Sequence, residues 1–358
     1  MPWTQLLLRL LFLIEVSAVG DLDDLSTVDF TEPPLSDELL KRANRVAIKD
    51  HIDQKSFADE VSLDVSFNFL QYIGRPSPDM QIFTQSSSLD QGIQMFYKEA
   101  NPPLNVRHIG DVLLLHGAIY SSDTWAKRVG QPGPTTMQIL AAAGYRTVAI
   151  DQPGFGRAST GRLSRSRSSF MLDLIDVLRL TKPAIVSPSA SGQFSLDFVS
   201  KHADLVGAFI PIAPCCPTST QNWQDVETPL LIIRGDSDGS PLSEFQSTPY
   251  HNTFIVPKAG HAAYLHQPQM FHTALVNFLN FVFRSDDEPL LLDPSEVASR
   301  LSRQQQQSDP ATAHVSDAQQ QRGNSNAAVA TPSSHSITLI IPVITLVLCS
   351  PTRLRLLL

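Results

Sequence analysis

The chain has 358 residues, and its 27 lysines and arginines against 35 aspartates and glutamates give a net charge of −8. This acidic balance argues against a nucleic-acid partner bound through bulk positive charge. Hydrophobic residues make up 42% of the chain, which is enough apolar material for at least one globular core. Three cysteines cannot supply a disulfide framework, and no Cys-x-x-Cys or His-Glu-x-x-His run is present, so no metal site is predicted.

Both ends of the chain differ in composition from its middle. Residues 1–20 contain a short apolar stretch followed by small residues, which is typical of a signal peptide or signal-anchor. Residues 286–335 are rich in Gln and Ser and predict a disordered linker. Residues 336–358 form an apolar tail with the layout of a GPI-attachment signal or a short anchor. We therefore expect a membrane-associated or extracellular protein of the secretory pathway, with a cytoplasmic location as the alternative.

Between these ends, residues 21–79 form an N-terminal extension and residues 80–285 form the main domain. The extension carries one amphipathic helical pattern, roughly Asp37–Ile52. In the main domain, two segments around a polar turn predict an antiparallel hairpin, and short apolar strands then alternate with helices. This alternation predicts an α/β fold with a mostly parallel sheet and helices on both faces. The hairpin segments are Gln81–Thr84 and Ile93–Tyr97; the later strands are Asp111–Leu115, Thr147–Ile150, Ala184–Val186, Val206–Ile212, Leu230–Ile233 and Phe254–Val256.

Polar motifs follow several of these strands, where the carboxyl ends of a parallel sheet gather function. A serine run, Ser187 to Ser191, follows one strand and precedes a helix, as at a nucleophile turn. In such a turn the residues two before and two after the nucleophile nearly touch, so both must be small. Only Ser189 is flanked in this way, by Ser187 and Ser191. We therefore predict Ser189 as the nucleophile.

A histidine and an acid follow later strands. His261 comes after a short turn that follows Phe254–Val256, whereas His266 and His272 lie at or inside the next predicted helix and are interpreted as solvated surface residues. Asp238 lies further beyond its strand than Asp236 and can reach across to the imidazole. Asp236 is expected to order the loop by accepting backbone N–H groups. The predicted base and acid are His261 and Asp238.

Two backbone amides are predicted to form an oxyanion hole. The run His116-Gly117-Ala118 follows the strand Asp111–Leu115, where a glycine allows a backbone N–H to face a developing oxyanion. The second donor is the residue after the nucleophile. The two amides are those of Ala118 and Ala190, while His116 is expected to be a structural hydrogen-bonding residue.

Taken together, these motifs resemble the α/β-hydrolase superfamily, whose triad has the chain order serine, acid, histidine. The serine-only turn is similar to that of the α/β-hydrolase domain-containing protein 14 group, and the resemblance covers roughly residues 80–283. It implies an α/β-hydrolase fold, a triad of Ser189, Asp238 and His261, and hydrolysis of small acyl groups, with one membrane-associated branch. The other stretches that carry it are LLLHG at 113–117, AAGYRTVAID at 142–151, PGFG at 153–156, TPLLII at 228–233 and AGH at 259–261.

We therefore expect a serine hydrolase that cleaves small acyl esters, thioesters or amides through an acyl-enzyme, without a cofactor. Only Pro214 to Thr228 separate two predicted strands, so no large cap domain is expected over the site. The loop from Arg157 to Arg167 holds four arginines, and Arg157 is a candidate contact for an anionic substrate. Two alternatives remain: a non-catalytic binding protein with the same fold, and an acyltransferase that uses an acceptor other than water.

Overall fold

The computed structural model describes residues 37–43, 83–88, 94–127, 134–158, 163, 166–216, 221–240, 242–284 and 289–308. These residues form one sheet of eight strands in the order β1-β2-β4-β3-β5-β6-β7-β8. The pairs β1–β2 and β2–β4 are antiparallel, and the other five neighbouring pairs are parallel. The strands are β1 Phe83–Ser88, β2 Gln94–Ala100, β3 Gly110–Leu114, β4 Tyr145–Asp151, β5 Ala184–Pro188, β6 Ala208–Ile212, β7 Leu230–Gly235 and β8 His251–Val256.

Helices cover both faces of this sheet, which confirms the predicted fold class. The alternation along β3 shows it: Val112 and Leu114 belong to the core layer beneath α3 and α7, and Leu113 belongs to the layer beneath α4 and α5. Because both faces are covered, the central strands are apolar throughout. The helices are α1 Asp37–Ala43, α2 Asp123–Ala126, α3 Thr136–Ala142, α4 Arg167–Val177, α5 Gly192–Lys201, α6 Ala263–His266, α7 Pro268–Phe283 and α8 Pro294–Ser308.

The connection between β6 and β7 is short. β6 ends at Ile212 and β7 begins at Leu230, so the intervening segment is too short for a cap domain. The carboxyl ends of β3, β5, β7 and β8 bring their following loops to one edge of the sheet.

One helix lies in a segment whose sequence predicts disorder. Residues 286–335 are predicted as a linker, yet α8 occupies Pro294–Ser308. Its start is held by Asp293, which accepts the N–H groups of Ser295 and Glu296 at 2.8 and 2.9 Å, while the Glu296 carboxylate accepts the Asp293 N–H at 3.2 Å. This capping box, with a proline at the first helical position, is a helix-start signal that outweighs the glutamine-rich composition.

The two chain ends lie largely outside the described residues. The predicted signal segment, the apolar tail, residues 44–52 of the amphipathic pattern and the linker beyond residue 308 all fall there, so those interpretations stay predictions. Within the ranges that the structure describes, no helix has the length and apolarity needed to cross a membrane.

The prediction that His272 is a solvated surface residue is wrong. His272 lies in α7 and is 9% exposed, and its Nε2 forms a 2.9 Å hydrogen bond with the Thr136 hydroxyl of α3. The buried face of α7 is wider than the single apolar face of an amphipathic helix, since all residues from Phe271 to Val276 are buried. Burial lowers the pKa of His272 from 6.5 to about 4, so the ring is neutral in the folded protein at neutral pH.

This buried histidine should make the protein less stable in mild acid. Its folded-state pKa lies below its unfolded value, so the unfolded chain takes up a proton between about pH 6.5 and pH 4 and is favoured as the pH falls. Between pH 7 and pH 4.5, the free energy of unfolding of the wild type should fall by up to about 3 kcal/mol more than that of His272→Asn. Urea unfolding of both proteins at pH 7 and pH 4.5 measures it, and an identical pH dependence in the two would contradict the assignment.

Candidate active site

Ser189 occupies a strained turn between β5 and α5. Its φ is +50°, in the left-handed region that residues other than glycine rarely adopt. The flanking residues, Ser187 and Ser191, are fully buried, and their hydroxyls are 2.8 Å apart. These two positions therefore meet directly, in agreement with the steric argument for small residues on either side of Ser189.

Two hydrogen bonds hold the peptide groups on either side of the strained residue. The Ser191 hydroxyl donates to the Pro188 carbonyl at 2.7 Å, and the Cys215 N–H donates to the Ser189 carbonyl at 2.9 Å. Such contacts are needed because a non-glycine residue in this conformation costs about 1–3 kcal/mol. Gly192 completes the packing, since a Cβ there would lie 2.5 Å from the Cys215 carbonyl oxygen.

A third serine joins the buried network beneath the turn. Ser195 is fully buried, and its hydroxyl lies 2.7 Å from that of Ser187. Because the Ser191 hydroxyl donates to the Pro188 carbonyl, the Ser187 hydroxyl donates to Ser191. The Ser195 hydroxyl lies within reach of both the Ser187 hydroxyl and the Ser191 carbonyl, at 2.7 and 3.3 Å. Sequence reasoning singled out the serines on each side of Ser189 for their small size and missed both this network and Cys215.

His261 lies beside Ser189 on the turn that follows β8. Its Nε2 is 2.8 Å from the Ser189 hydroxyl oxygen. The turn is anchored by the Asp236 carboxylate, which accepts the N–H groups of Lys258 and Ala259 at 2.8 and 3.2 Å. The exposed rival, His266, has a different task, since its Nδ1 accepts the Gly260 N–H at 2.9 Å.

Asp238 lies on the other side of the imidazole. Its Oδ2 is 3.1 Å from Nδ1 of His261, and its Oδ1 accepts the N–H and hydroxyl of Ser240 at 3.2 and 3.0 Å. Burial opposes ionisation of Asp238, but the hydrogen bonds from His261 and Ser240 hold its pKa below the usual range. An ionised Asp238 fixes the proton on Nδ1 and leaves Nε2 as the acceptor for the Ser189 hydroxyl.

The loop after β3 lies against the serine turn. A Cβ built on Gly117 would be 3.7 Å from that of Ser189 and 3.3 Å from the Tyr120 ring. Among the described residues, no turn or loop hydrogen bond uses the N–H of Ala118 or Ala190. The assignment of these two amides to an oxyanion hole stays a prediction.

The orientation of the Ala118 amide follows from the protonation of His116. Nε2 of His116 accepts the Gln152 N–H at 3.0 Å, so Nδ1 carries the proton and donates to the Gly117 carbonyl at 2.8 Å. Burial lowers the pKa of His116 and keeps the ring neutral. Because the carbonyl and N–H of a trans peptide point in opposite directions, this bond turns the Ala118 N–H away from His116.

Two exposed side chains of the loops that follow β3 and β4 differ in their contacts. Ile119, next to Ala118, is 71% exposed. Arg157 is also exposed, and its backbone N–H donates to the Asp151 carboxylate at 2.9 Å. In the described part of the chain, no hydrogen bond or ion pair joins the Arg157 guanidinium to the serine, histidine or aspartate, so substrate binding by Arg157 stays a prediction.

A glycine in β7 lets the histidine turn approach the sheet. A Cβ at Gly235 would collide with the carbonyl oxygens of Ala259 and Gly260, whereas a Cβ at Gly239 would meet nothing within 4 Å. We expect Gly235→Ala to destabilise the fold by about 1–3 kcal/mol and to displace His261. Gly239→Ala is the matched control and should change the unfolding free energy by less than about 0.5 kcal/mol. Equal urea midpoints for the two variants would contradict this packing.

Comparisons with known proteins found several similarities. Residues 112–195 match a family described as "Alpha/beta hydrolase family". A protein from Pongo abelii named "Putative protein-lysine deacylase ABHD14B" is 39% identical over 201 residues, which cover 53% of this chain and 91% of that protein. "Protein ABHD14A" from Rattus norvegicus is 36% identical over 241 residues, which cover 62% of this chain and 96% of that protein. A solved "predicted CIB-like hydrolase" from Thermoplasma acidophilum shares 23% identity over 56% of this chain and 99% of its own, with a TM-score of 0.46.

The sheet order, the serine turn and these sequence matches define the class: the protein is an α/β hydrolase. The similarity to the two ABHD14 proteins extends over nearly their whole length. The chain therefore belongs to the α/β-hydrolase domain-containing protein 14 family, and the resemblance seen in its motifs is confirmed.

Proposed function

We propose that this hydrolase cleaves small acyl groups through a covalent acyl-enzyme on Ser189. The observation that carries the proposal is the continuous hydrogen-bonded line from Ser189 through His261 to Asp238, with distances of 2.8 and 3.1 Å. A serine hydroxyl is a weak nucleophile until an adjacent base removes its proton. His261 is placed to do this, and Asp238 is placed to stabilise the imidazolium that forms.

The first half of the reaction forms the acyl-enzyme. The Ser189 oxygen attacks the acyl carbonyl carbon while its proton passes to Nε2 of His261. The carbonyl oxygen becomes an oxyanion that accepts hydrogen bonds from the Ala118 and Ala190 amides. When the tetrahedral intermediate collapses, the bond to the leaving group breaks, and His261 returns its proton to the departing oxygen, sulfur or nitrogen.

The second half releases the acid. Water attacks the acyl carbon and gives a proton to His261, the oxyanion again rests on the two amides, and the Ser189 oxygen leaves with the proton from His261. Asp238 keeps the imidazole in one tautomer through both halves, because its Oδ2 faces Nδ1.

The site and the relatives support one substrate class. Among the described residues no cap domain encloses the serine, which suits a short acyl group on a larger carrier that stays outside. The name of the Pongo abelii relative describes a protein-lysine deacylase. Acyl-lysine side chains on a protein therefore head the candidate substrates, with small esters and thioesters as chemically equivalent acyl donors.

A fluorophosphonate probe, which reacts with activated serines, tests the proposal. We expect wild-type protein to be labelled and the labelled peptide to contain Ser189, and we expect no labelling of Ser189→Ala or of heat-denatured wild type. Folded wild-type protein that resists the probe would contradict the proposal and would favour the non-catalytic binding alternative.

A substrate panel then separates leaving groups and acceptors. Purified protein is incubated with an acetyl-lysine peptide, an acetyl ester and an acetyl thioester, and the released acetate is compared with the substrate consumed. Hydrolysis predicts equal amounts for whichever donor is used. A shortfall of acetate, with the acyl group found on another added nucleophile, would identify an acyltransferase instead.

A further inference from the structure

The loop that follows β6 carries two adjacent cysteines, and its backbone contacts the serine turn. Ala213 and Cys216 both have positive φ values, +43° and +68°, so the loop turns sharply after the strand. Between them, Cys215 donates its N–H to the Ser189 carbonyl at 2.9 Å, and its own carbonyl packs against Gly192. A change at Cys216 therefore acts one residue away from a contact that holds the strained nucleophile.

The two thiols differ in exposure and share one amide neighbour. Cys215 is 8% exposed, whereas Cys216 is half-buried and open to solvent on one side. The Gln193 side-chain amide, in the first turn of α5, donates to Cys215 Sγ at 3.9 Å and also forms a hydrogen bond with Cys216. Cys216 is thus the accessible member of a cluster that contains hydrogen-bond donors.

A guanidinium faces the same cluster. Arg167, at the start of α4, lies with its guanidinium carbon 5.6 Å from the centre of the Phe194 ring. In the described part of the chain no carboxylate forms an ion pair with Arg167, and the charged groups that act on it are the two thiols. Its positive charge is therefore available to a thiolate and to an anion beside it.

The charge and the hydrogen bonds favour the ionised form of the accessible thiol. A hydrogen bond with Cys215 is the largest influence that lowers the pKa of Cys216; the Gln193 amide and the Arg167 charge lower it further, against burial, to about 7. An ordinary cysteine has a pKa near 8.5. The titratable and charged groups facing Cys216 in the described residues are Cys215 and Arg167.

We propose that Cys216 is a covalent modification site that takes up a small carboxylate-bearing peptide by thiol–disulfide exchange, and that this modification slows the reaction of Ser189. The Cys216 thiolate attacks one sulfur of an acidic disulfide such as glutathione disulfide. A new sulfur–sulfur bond forms, the old one breaks, and the second glutathione leaves as a thiolate with the electron pair. Arg167 attracts the carboxylates of the incoming peptide.

The first experiment measures the thiol itself and does not depend on the function of Ser189. Iodoacetamide alkylation of Cys216 is followed by tandem mass spectrometry across pH 5–10. Fragment ions assign the alkylated residue within the peptide that holds both Cys215 and Cys216, and Cys349 lies on a separate peptide. We expect the rate to rise through about pH 7; a rise centred near pH 8.5, the ordinary value, would overturn the proposal. Cys215→Ala should move the midpoint upward, whereas Cys215→Ser keeps a hydrogen-bond donor and should move it less.

The second experiment tests thiolation and its effect, and the effect rests on the proposed function. Wild-type protein is treated with glutathione disulfide, mapped for the adduct and labelled with the fluorophosphonate probe before and after reduction with dithiothreitol. We expect an adduct on Cys216, at least fivefold slower labelling of Ser189, and recovery on reduction. Cys216→Ser should label at the same rate with or without the disulfide.

The outcomes separate the two proposals. Untreated wild type that does not label would count against the serine mechanism alone. Absence of an adduct at Cys216, or an adduct that leaves the labelling rate unchanged, would overturn the present inference. If Cys216→Ser does not fold, the comparison of oxidised and reduced wild type gives the same decision.

Discussion

Replacing Ser189 by alanine should reduce the turnover of an acyl ester by about 10⁶-fold, to the level that binding and the oxyanion amides sustain alone. The reason is that the Ser189 hydroxyl lies 2.8 Å from Nε2 of His261 and is the hydroxyl placed to give its proton to that ring. The measurement is the rate of acid release by purified protein, corrected for uncatalysed hydrolysis.

Ser247→Ala is the matched control for this substitution. Ser247 is an exposed serine whose hydroxyl donates to the Glu244 carbonyl at 3.5 Å, and the variant should keep full activity. Circular dichroism and thermal melting should show that both variants are folded. A Ser189→Ala protein that is folded and retains more than a hundredth of the wild-type rate would show that the reaction does not use this serine.

Asp238→Asn should lower kcat by about 10⁴-fold while leaving the fold intact. An asparagine at this position would keep the side-chain shape but would no longer favour the proton on Nδ1 of His261, so Nε2 could carry it instead and could not accept from Ser189. The loss should appear in kcat rather than in KM, because Asp238 touches the base and not the substrate.

Asp236→Asn provides the contrast within the same loop. Asp236 accepts backbone N–H groups of the turn before His261, and an asparagine can still accept one of them. We expect a loss of roughly tenfold, the size of one weakened hydrogen bond to a charged group. If Asp236→Asn proves more damaging than Asp238→Asn, then the assignment of the two carboxylates is reversed.

Much of this site could be predicted because its geometry leaves a local signature. A strand followed by a helix with a serine between two small residues can form a tight turn, and that reasoning selected Ser189 from three serines. The distance beyond the end of β7 distinguished Asp238 from Asp236, and the structure places the first on the imidazole and the second on the backbone. The residues just after the strand ends could therefore be predicted to lie close together, because parallel strands bring their carboxyl ends to one edge of the sheet.

Other features depend on contacts between distant segments and could not be predicted. The burial of His272 requires the Thr136 hydroxyl on another helix, and the support of the serine turn requires Cys215 from the loop after the next strand. The helix Pro294–Ser308 is a different case. Its capping residues are a local helix-start signal in the sequence, whereas its glutamine-rich composition favours disorder.

The acyl-enzyme itself is the most direct test of the account. Wild-type protein is mixed with an activated acetyl ester, quenched in acid within milliseconds and digested, and the peptides are weighed by mass spectrometry. We predict one acetyl group on the peptide that contains Ser189, with an amount that rises and then decays as the ester is consumed. Steady hydrolysis without acetyl on that peptide, or acetyl that stays there without turnover, would contradict the proposed mechanism.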